Sequence, residues 1–173
     1  MTKTLYKGKV LDLTLEAVRL PNRKVVNLEM IRHPGAAAVV PVRDDGRIVM
    51  IRQYRHAAGG MIYEIPAGRL DGGEAPLDCA KRELREEAGY EANRWLKLGA
   101  IFTTPGFTDE KIHLFLAQEL TQVPQDLEAD EVIEVEEHPL ESLIGMVTRG
   151  DLVDGKTICA LTLAYFHLKG VSE

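Results

Sequence analysis

Three glutamates, Glu83, Glu86 and Glu87, stand within five residues of one another, with Arg82 and Arg85 beside them. Wound as a helix at about 100° per residue, the segment puts Leu77, Ala80, Leu84 and Ala88 on one narrow apolar stripe. The three carboxylates then fall together on an adjacent face. Cys79, one turn earlier, shares that face and is small enough to leave room beside it. Glu83 and Glu87 are four apart, a like-charge pairing that costs about 0.2–0.5 kcal/mol on a bare helix. Two chemistries answer to this pattern. One is a solvated acidic face balanced by the arginines. The other is a bank of oxygen ligands for a hard divalent cation such as Mg²⁺, which takes a few carboxylates together with substrate phosphates.

A second segment, Gly150-Asp151-Leu152-Val153-Asp154-Gly155-Lys156-Thr157, satisfies G-x4-G-K-[ST], the phosphate-loop pattern. Its context argues against that use, because a helix rather than a strand precedes Gly150, and Asp151 and Asp154 would repel a phosphate. Gly150 is read as a helix C-cap, and Lys156 is expected to be dispensable for turnover. The histidines His33, His56, His113, His138 and His167 are scattered, with no metal-pair spacing. Cys79 and Cys159 show no C-x-x-C spacing and are read as two buried small thiols.

The elements that must position these groups are legible in outline. Val10 to Leu20 and Val25 to His33 alternate as strands around the turn Pro21-Asn22-Arg23. A two-stranded hairpin cannot bury its own faces and must pack on something else. Ala36 to Val42 and Ile48 to Tyr54 are near-continuous apolar strands around the hairpin signal Asp44-Asp45-Gly46, and Met61 to Pro66 is a short third strand. A loop from Ala67 to Ala75 leads into a helix over Leu77 to Ala88, with Pro76 at its start and Gly89 as its cap. Strands at Leu98 to Thr103 and Ile112 to Gln118 bracket a loop from Thr104 to Glu110. After the acidic stretch Glu128 to Glu137, helices are expected near Leu140 to Arg149 and Ile158 to Lys169. Strands and helices do not alternate regularly, so the expected class is α/β (α+β), a mixed β-sheet between α-helices with an N-terminal antiparallel β-sheet. The division falls at residues 1–34 and 35–173.

Composition limits the partners. The chain has 173 residues, 45% of them hydrophobic, enough for a sizeable core in one domain with a small appendage. No apolar run approaches the length of a membrane span, and the N-terminus leads into a polar strand, so a cytoplasmic protein is expected. Twenty-one basic residues against 27 acidic ones give a net charge of −6, with no Lys/Arg-rich run to bind nucleic acid.

Gly68, Glu74, Arg82, Glu83, Leu84, Glu86, Glu87, Gly89 and Tyr90 together fit G-x5-E-x7-R-E-U-x-E-E-x-G-U, where U is bulky and apolar. Seven fixed identities coincide by chance about once in 10⁸ windows at ordinary residue usage. This pattern is the Nudix box, and the chain resembles a Nudix hydrolase, with Tyr90 standing where the family more often has an aliphatic residue. The resemblance implies that Glu83 and Glu87 are the main metal ligands and that Glu86 assists. It also implies that the Ala67 carbonyl completes the shell, that Arg82 orients the glutamates and that Glu74 is structural. The cation implied is Mg²⁺, with Mn²⁺ as a substitute.

Further segments resemble the ADP-ribose pyrophosphatase branch of that family. Pro105 lies 16 residues beyond Gly89 in Thr-Pro-Gly-Phe-Thr-Asp-Glu, which makes Glu110 a substrate or metal-positioning residue. Arg52-Gln53-Tyr54-Arg55 followed by Glu64-Ile65-Pro66-Ala67-Gly68 resembles the same branch. It implies substrate-binding roles for Arg52 and Arg55, whose guanidiniums offer forked donors to phosphate oxygens. The plainer reading of either arginine is a strand-end ion pair. In the resembling enzymes a glutamate of the acidic loop serves as general base or metal-linked partner; Glu131-Val132-Ile133-Glu134-Val135 matches the place where that loop enters its strand, which points to Glu131, with Glu128 second. The implied reaction is hydrolysis of ADP-ribose to AMP and ribose 5-phosphate by a homodimer that exchanges its N-terminal sheet. Two rivals remain open: a hydrolase of another nucleoside diphosphate sugar such as GDP-mannose, and a silent Nudix domain that senses a nucleotide sugar.

Overall fold

The computed structural model describes residues 2–129 and 131–170. Ten strands and three helices follow in the order β1 (Thr2–Lys7), β2 (Asp12–Arg19), β3 (Val25–Arg32), β4 (Ala36–Pro41), β5 (Arg47–Arg55), β6 (Gly60–Glu64), β7 (Ala67–Arg69), α1 (Pro76–Ala88), β8 (Tyr90–Phe102), β9 (Lys111–Gln122), β10 (Ile133–Pro139), α2 (Leu140–Arg149) and α3 (Gly155–Leu168).

The class is the expected α/β (α+β) one, with a mixed sheet and an N-terminal antiparallel sheet, and a third sheet stands beside them. A four-stranded sheet runs β7-β4-β9-β8, a three-stranded sheet runs β10-β5-β6, and the N-terminal sheet runs β1-β2-β3. Only β4 and β9 pair in parallel within the four-stranded sheet; its other pairs are antiparallel. Every residue of β4 is buried, which is why its sequence reads as a continuous apolar run. Its alternate residues serve two cores. Ala36, Ala38 and Val40 join Met50, Leu114, Leu116, Leu143 and Leu161 on the side covered by α2 and α3. Ala37 and Val39 join Val49, Phe115, Ala80 and Leu84 on the side covered by α1.

Several expectations are corrected here. The turn at Asp44-Asp45-Gly46 forms, with Gly46 at φ 83°, but β4 and β5 part into different sheets and keep only a bridge between Val42 and Ile48. Both strands are apolar on both faces, so each takes an inner or central place in its own sheet. The segment after Ala67 opens with a three-residue strand, β7, on the edge of β4 before the loop begins. Strand β8 starts at Tyr90, directly after the helix cap, and pairs with β9 along its length with a bulge near Lys97 and Gly99. At Ile133 the acidic loop enters strand β10, which runs on to Pro139 and whose glutamates meet arginines: Arg52 of β5 meets Glu134, and Arg43 of the β4–β5 turn meets Glu137. Helix α3 begins at Gly155, because Asp154 caps it by accepting the Thr157 N–H at 3.0 Å. Cys79 is buried as expected, whereas Cys159 is exposed.

The N-terminal sheet is clasped to the rest through its last strand. The Ile31 N–H donates to the Phe107 carbonyl at 2.7 Å, and Arg32 bridges Glu16 and Asp109. Strand β1, by contrast, is exposed along its whole length.

Candidate active site

Helix α1 is placed by its apolar stripe. Cys79, Ala80, Leu84 and Ala88 are buried against the sheets, and Gly89 ends the helix at φ 70° with its N–H on the Arg85 carbonyl. That rotation carries Glu83 and Glu87 inward as well, to 7% and 2% exposure. The Glu87 carboxylate accepts the Ala67 N–H at 2.8 Å. Glu83 lies against Gly68 so closely that a Cβ there would stand 1.8 Å from its Oε1, so only glycine at 68 leaves room for the carboxylate. Residues 67 and 68 and the helical glutamates are therefore one construction.

Arg82 organises the outer side. Its Nε and Nη2 donate to the two oxygens of Glu74, each at 3.0 Å, its Nη2 also reaches the Arg69 carbonyl, and its Nη1 donates to Glu83 and Glu86. Glu74 thus anchors an arginine that holds the glutamates, in line with the structural part expected of it. Glu74 is held below the ordinary carboxylate range, chiefly by the Arg82 hydrogen bonds. Its neighbours go the other way. Burial pushes Glu83 up to about 7 against the opposing pull of Arg82. Burial also pushes Glu87 up to about 8 despite the Ala67 N–H, and Glu83 and Glu131 add repulsion. Cys79, whose thiol faces the Gly68 and Arg69 carbonyls, is pushed up to about 12, mainly by burial, so it is inert.

The acidic loop is laced to the C-terminal end of α1. The Asp126 N–H donates to the Glu86 carbonyl at 3.1 Å, Gln125 Nε2 to the Glu87 carbonyl at 2.6 Å, and the Val123 N–H to the Gly89 carbonyl at 2.9 Å. Carbonyls left unpaired by the helix end thereby find donors. Glu131 folds back so that its carboxylate accepts the Glu128 N–H at 2.8 Å. Its charge adds repulsion at both Glu83 and Glu87, and Glu128 is exposed.

Beside residues 67 and 68 opens a cavity of about 630 Å³, lined in part by Arg55, Ala67, Gly68, Phe102, Glu110 and Lys156. Glu110 accepts the Thr103 hydroxyl at 2.8 Å and stands 3.6 Å from His33. Arg55 donates Nε and Nη2 to the two oxygens of Glu64 at 2.7 and 2.9 Å. Arg52 does not line this cavity. It ion-pairs with Glu134 and Glu136 and lies over the Tyr63 ring at 5.5 Å, the strand-surface pairing that was its plainer reading. The fold thus gathers Ala67, Glu83, Glu86, Glu87 and Glu131 at one end of α1 and places Arg55 and Glu110 in the adjoining cavity.

Two residues escaped sequence reasoning. Glu64, only 1% exposed, stands in the segment Glu64-Ile65-Pro66-Ala67-Gly68, whose resemblance gives it no role. Lys156 belongs to the phosphate-loop pattern, whose context is not that of a phosphate cradle, since helix α2 precedes it and Gly150 caps that helix at φ 78° with its N–H on the Val147 carbonyl. Yet Lys156 itself reaches Glu64 and lies in the cavity wall. No local signal joins positions 92 residues apart.

The donor set has the chemistry of a hard-cation site. It offers two desolvated carboxylates and a third at the rim beside a glycine-floored cradle, all oxygen ligands. Among the described residues, no three Asp, Glu, His or Cys side chains already converge at ligating distance, because Glu83 and Glu86 turn to Arg82.

Relatives share most of the chain. An ADP-ribose pyrophosphatase of Bacillus subtilis (strain 168) is 44% identical over 95% of this chain and 89% of its own length. A methanol dehydrogenase activator of Bacillus methanolicus is 38% identical over 92% and 88%. A GDP-mannose pyrophosphatase of Yersinia enterocolitica serotype O:8 / biotype 1B (strain NCTC 13174 / 8081) is 37% identical over 79% and 75%. The fold matches a solved structure described as an ADP compounds hydrolase with a TM-score of 0.85, at 22% identity, over 99% of this chain and 94% of that one. The NUDIX domain model matches residues 32–161, which include every candidate site residue named above, and the chain belongs to that family.

Proposed function

We propose that this Nudix protein hydrolyses the diphosphate of ADP-ribose, giving AMP and ribose 5-phosphate. One observation carries the reading. Ala67 and Gly68 belong at once to the cavity wall and to the contacts of the buried Glu83 and Glu87, so the cavity and the carboxylates share one short segment of backbone. Glu83, Glu86, Glu87 and the Ala67 carbonyl would hold divalent cations, Mg²⁺ or in substitution Mn²⁺. Such ions, when bound, acidify a water and offset diphosphate charge. Glu131, carried by the loop that is tied to the C-terminal end of α1, takes the proton of the attacking water as general base. Arg55 and Glu110 position the substrate from the cavity. Arg52 stays a substrate residue only if the cleft extends over the β5–β10 surface.

The substrate panel decides the specificity. With Mg²⁺ present, ADP-ribose is expected to give the highest kcat/KM, with AMP and ribose 5-phosphate as products. Faster cleavage of GDP-mannose would transfer the assignment to that class, a reading supported by the 37% identical relative. Absence of turnover on any nucleoside diphosphate sugar would leave the sensor reading.

The same reading makes residues 1–34 a dimerising sheet and residues 35–173 the hydrolase domain of a cytoplasmic homodimer. Leu5, Tyr6, Val10, Val25 and Leu28 are exposed on or beside β1–β3, apolar surface that a second copy would cover. No described helix is long and apolar enough to cross a membrane. Light scattering is expected to give about twice the 19.2 kDa chain mass; a monomer at micromolar concentration would remove the dimer.

A further inference from the structure

Gln53 sits deep in β5, 6% exposed, in the row between Ile51 and Arg55. Alternation puts it on the same face as Val49, and Val49 packs in the core covered by α1, so Gln53 is on the α1 side of its sheet. Its neighbours across the sheet are Ile62 of β6 and Ile133 of β10, whose side chains have nothing to offer an amide. Among the described residues its Oε1 is buried and finds no hydrogen-bond donor. Buried side-chain oxygens are nearly always paired, and one left unpaired costs about 1–3 kcal/mol of desolvation.

The surroundings of this amide are charged. On the β6 side, Arg55 stands opposite Gly60 and Glu64 opposite Ile51, so their ion pair crosses the Gln53 row. On the β10 side, the Tyr54 N–H donates to the Val132 carbonyl at 3.2 Å, so the pairing runs past Ile133 and brings Glu131 towards the Arg55 end of β5. From α1, Glu87 feels the charges of both Arg55 and Glu131. Arg55 has donors beyond the two that Glu64 takes, yet none goes to Gln53 Oε1. Gln53 therefore holds an unspent neutral acceptor in a region whose other acceptors are carboxylates. A residue that merely filled this row would be apolar, like Ile62 and Ile133 on either side.

An acceptor needs a donor, and the cation proposed for this region brings donors with it. Mg²⁺ keeps several of its waters when bound, and their hydrogens are acidified. A further carboxylate could accept from them, but it would add to the repulsion among Glu83, Glu87 and Glu131; an amide oxygen adds none. We infer that Gln53 is a positioning residue for the hydrated divalent cation, its Oε1 accepting a hydrogen bond from the hydration shell beside the loop that carries Glu131. This deepens the proposed function and rests on its cation site. Gln53 is thus a burden on the metal-free fold and a partner in the loaded one.

The test sets metal-free stability against Mg²⁺ affinity. Gln53→Leu, close in volume, is expected to unfold in EDTA at the same denaturant concentration as wild type or a higher one, because no native hydrogen bond to Oε1 is lost. Its Mg²⁺ affinity in calorimetric titration should fall about 5- to 20-fold, and kcat for ADP-ribose should fall about 10-fold or more with KM within about threefold. Gln53→Glu keeps the acceptor and near pH 8 should bind Mg²⁺ at least as tightly as wild type. Unchanged Mg²⁺ affinity in Gln53→Leu overturns the inference, and earlier unfolding in EDTA beside it would make Gln53 structural. A loss of affinity in Gln53→Glu equal to that in Gln53→Leu overturns it too. The stability and titration arms need no substrate. Loss of Mg²⁺ affinity in Gln53→Leu, with a wild type that cleaves no nucleoside diphosphate sugar, would sink the proposed function and keep this role of Gln53.

Discussion

Two groups of buried carboxylates lie on either side of residues 67 and 68, and their ionisation runs in opposite directions. Glu64 is as buried as Glu87, and burial is the largest influence on both. At Glu64 the hydrogen bonds of Arg55 and the charge of Lys156 together outweigh burial and hold the carboxyl below its usual range. At Glu87 a single backbone N–H opposes burial, while Glu83 and Glu131 add to it, and the carboxyl is pushed up. Burial sets the scale of the problem, and the number of positive charges within reach sets its sign. The Glu64 side comes with its cations as covalent parts of the chain. The α1 side is short of them, and that deficit is what a divalent ion would fill.

The sharpest way to break this comparison is at the deficit. Glu83→Gln and Glu87→Gln should each remove nearly all Mg²⁺-dependent turnover while the proteins stay folded. Near wild-type rates from both would mean that the cation is held elsewhere. Next in size is the loop base: Glu131→Gln should lower kcat by about 10²–10⁴ with little change in KM, and Glu128→Gln should leave it nearly untouched. The reverse pattern in steady-state kinetics would move the role to Glu128.

One conservative change made on both sides should give opposite stabilities. In metal-free buffer near pH 8, Glu64→Gln is expected to lose about 1–3 kcal/mol in denaturant unfolding, because Arg55 and Lys156 lose a charged partner. Glu87→Gln should hold or gain stability, since it removes a charge from a repelling set. The same sign from both substitutions would show that cation count does not separate the sites.

The smallest expected effect is a slope. Glu83 and Glu87 keep protons up to about 7 and about 8 in the folded chain but lose them near 4.5 when unfolded. Between those limits the native state binds more protons, so their contribution to metal-free stability is full below 4.5 and is lost as pH rises through 7 to 8. Mg²⁺ competes with those protons, so the rise in melting temperature that it gives should grow from pH 5.5 to 8.5. A stabilisation independent of pH would place the cation away from this pair.

What the sequence disclosed follows the distance over which each feature is encoded. The spacing from Gly68 to Tyr90 is written within one strand, loop and helix, so the acidic face, its anchor Arg82–Glu74 and the cap at Gly89 could be read directly. The Glu64–Lys156 contact joins β6 to α3, and no periodicity reports it. Arg52 and Arg55 differ by three positions in the same strand, and alternation sends them to opposite faces of the sheet: Arg55 to Glu64 and the cavity, Arg52 to the glutamates of β10. The start of β10 is legible where the acidic loop enters it, but its reach to Pro139 is not. The strand is dense in charge, and its partners Arg52 of β5 and Arg43 of the β4–β5 turn lie far off in sequence. Cys159 was misplaced because α3 is apolar nearly all round, so its exposed side carries no polar marking.

Glu86 and Glu87 each have two separate duties, divided between the side chain and the peptide group. Their carboxylates belong to the acidic face, while their carbonyls moor the loop through Asp126 and Gln125. Replacing either carboxylate leaves the mooring untouched. Kinetic damage in such variants therefore reports chemistry rather than a displaced loop. The converse probe is equally clean: Gln125→Ala loosens the tether of the loop that carries Glu131 without altering any acid in the site.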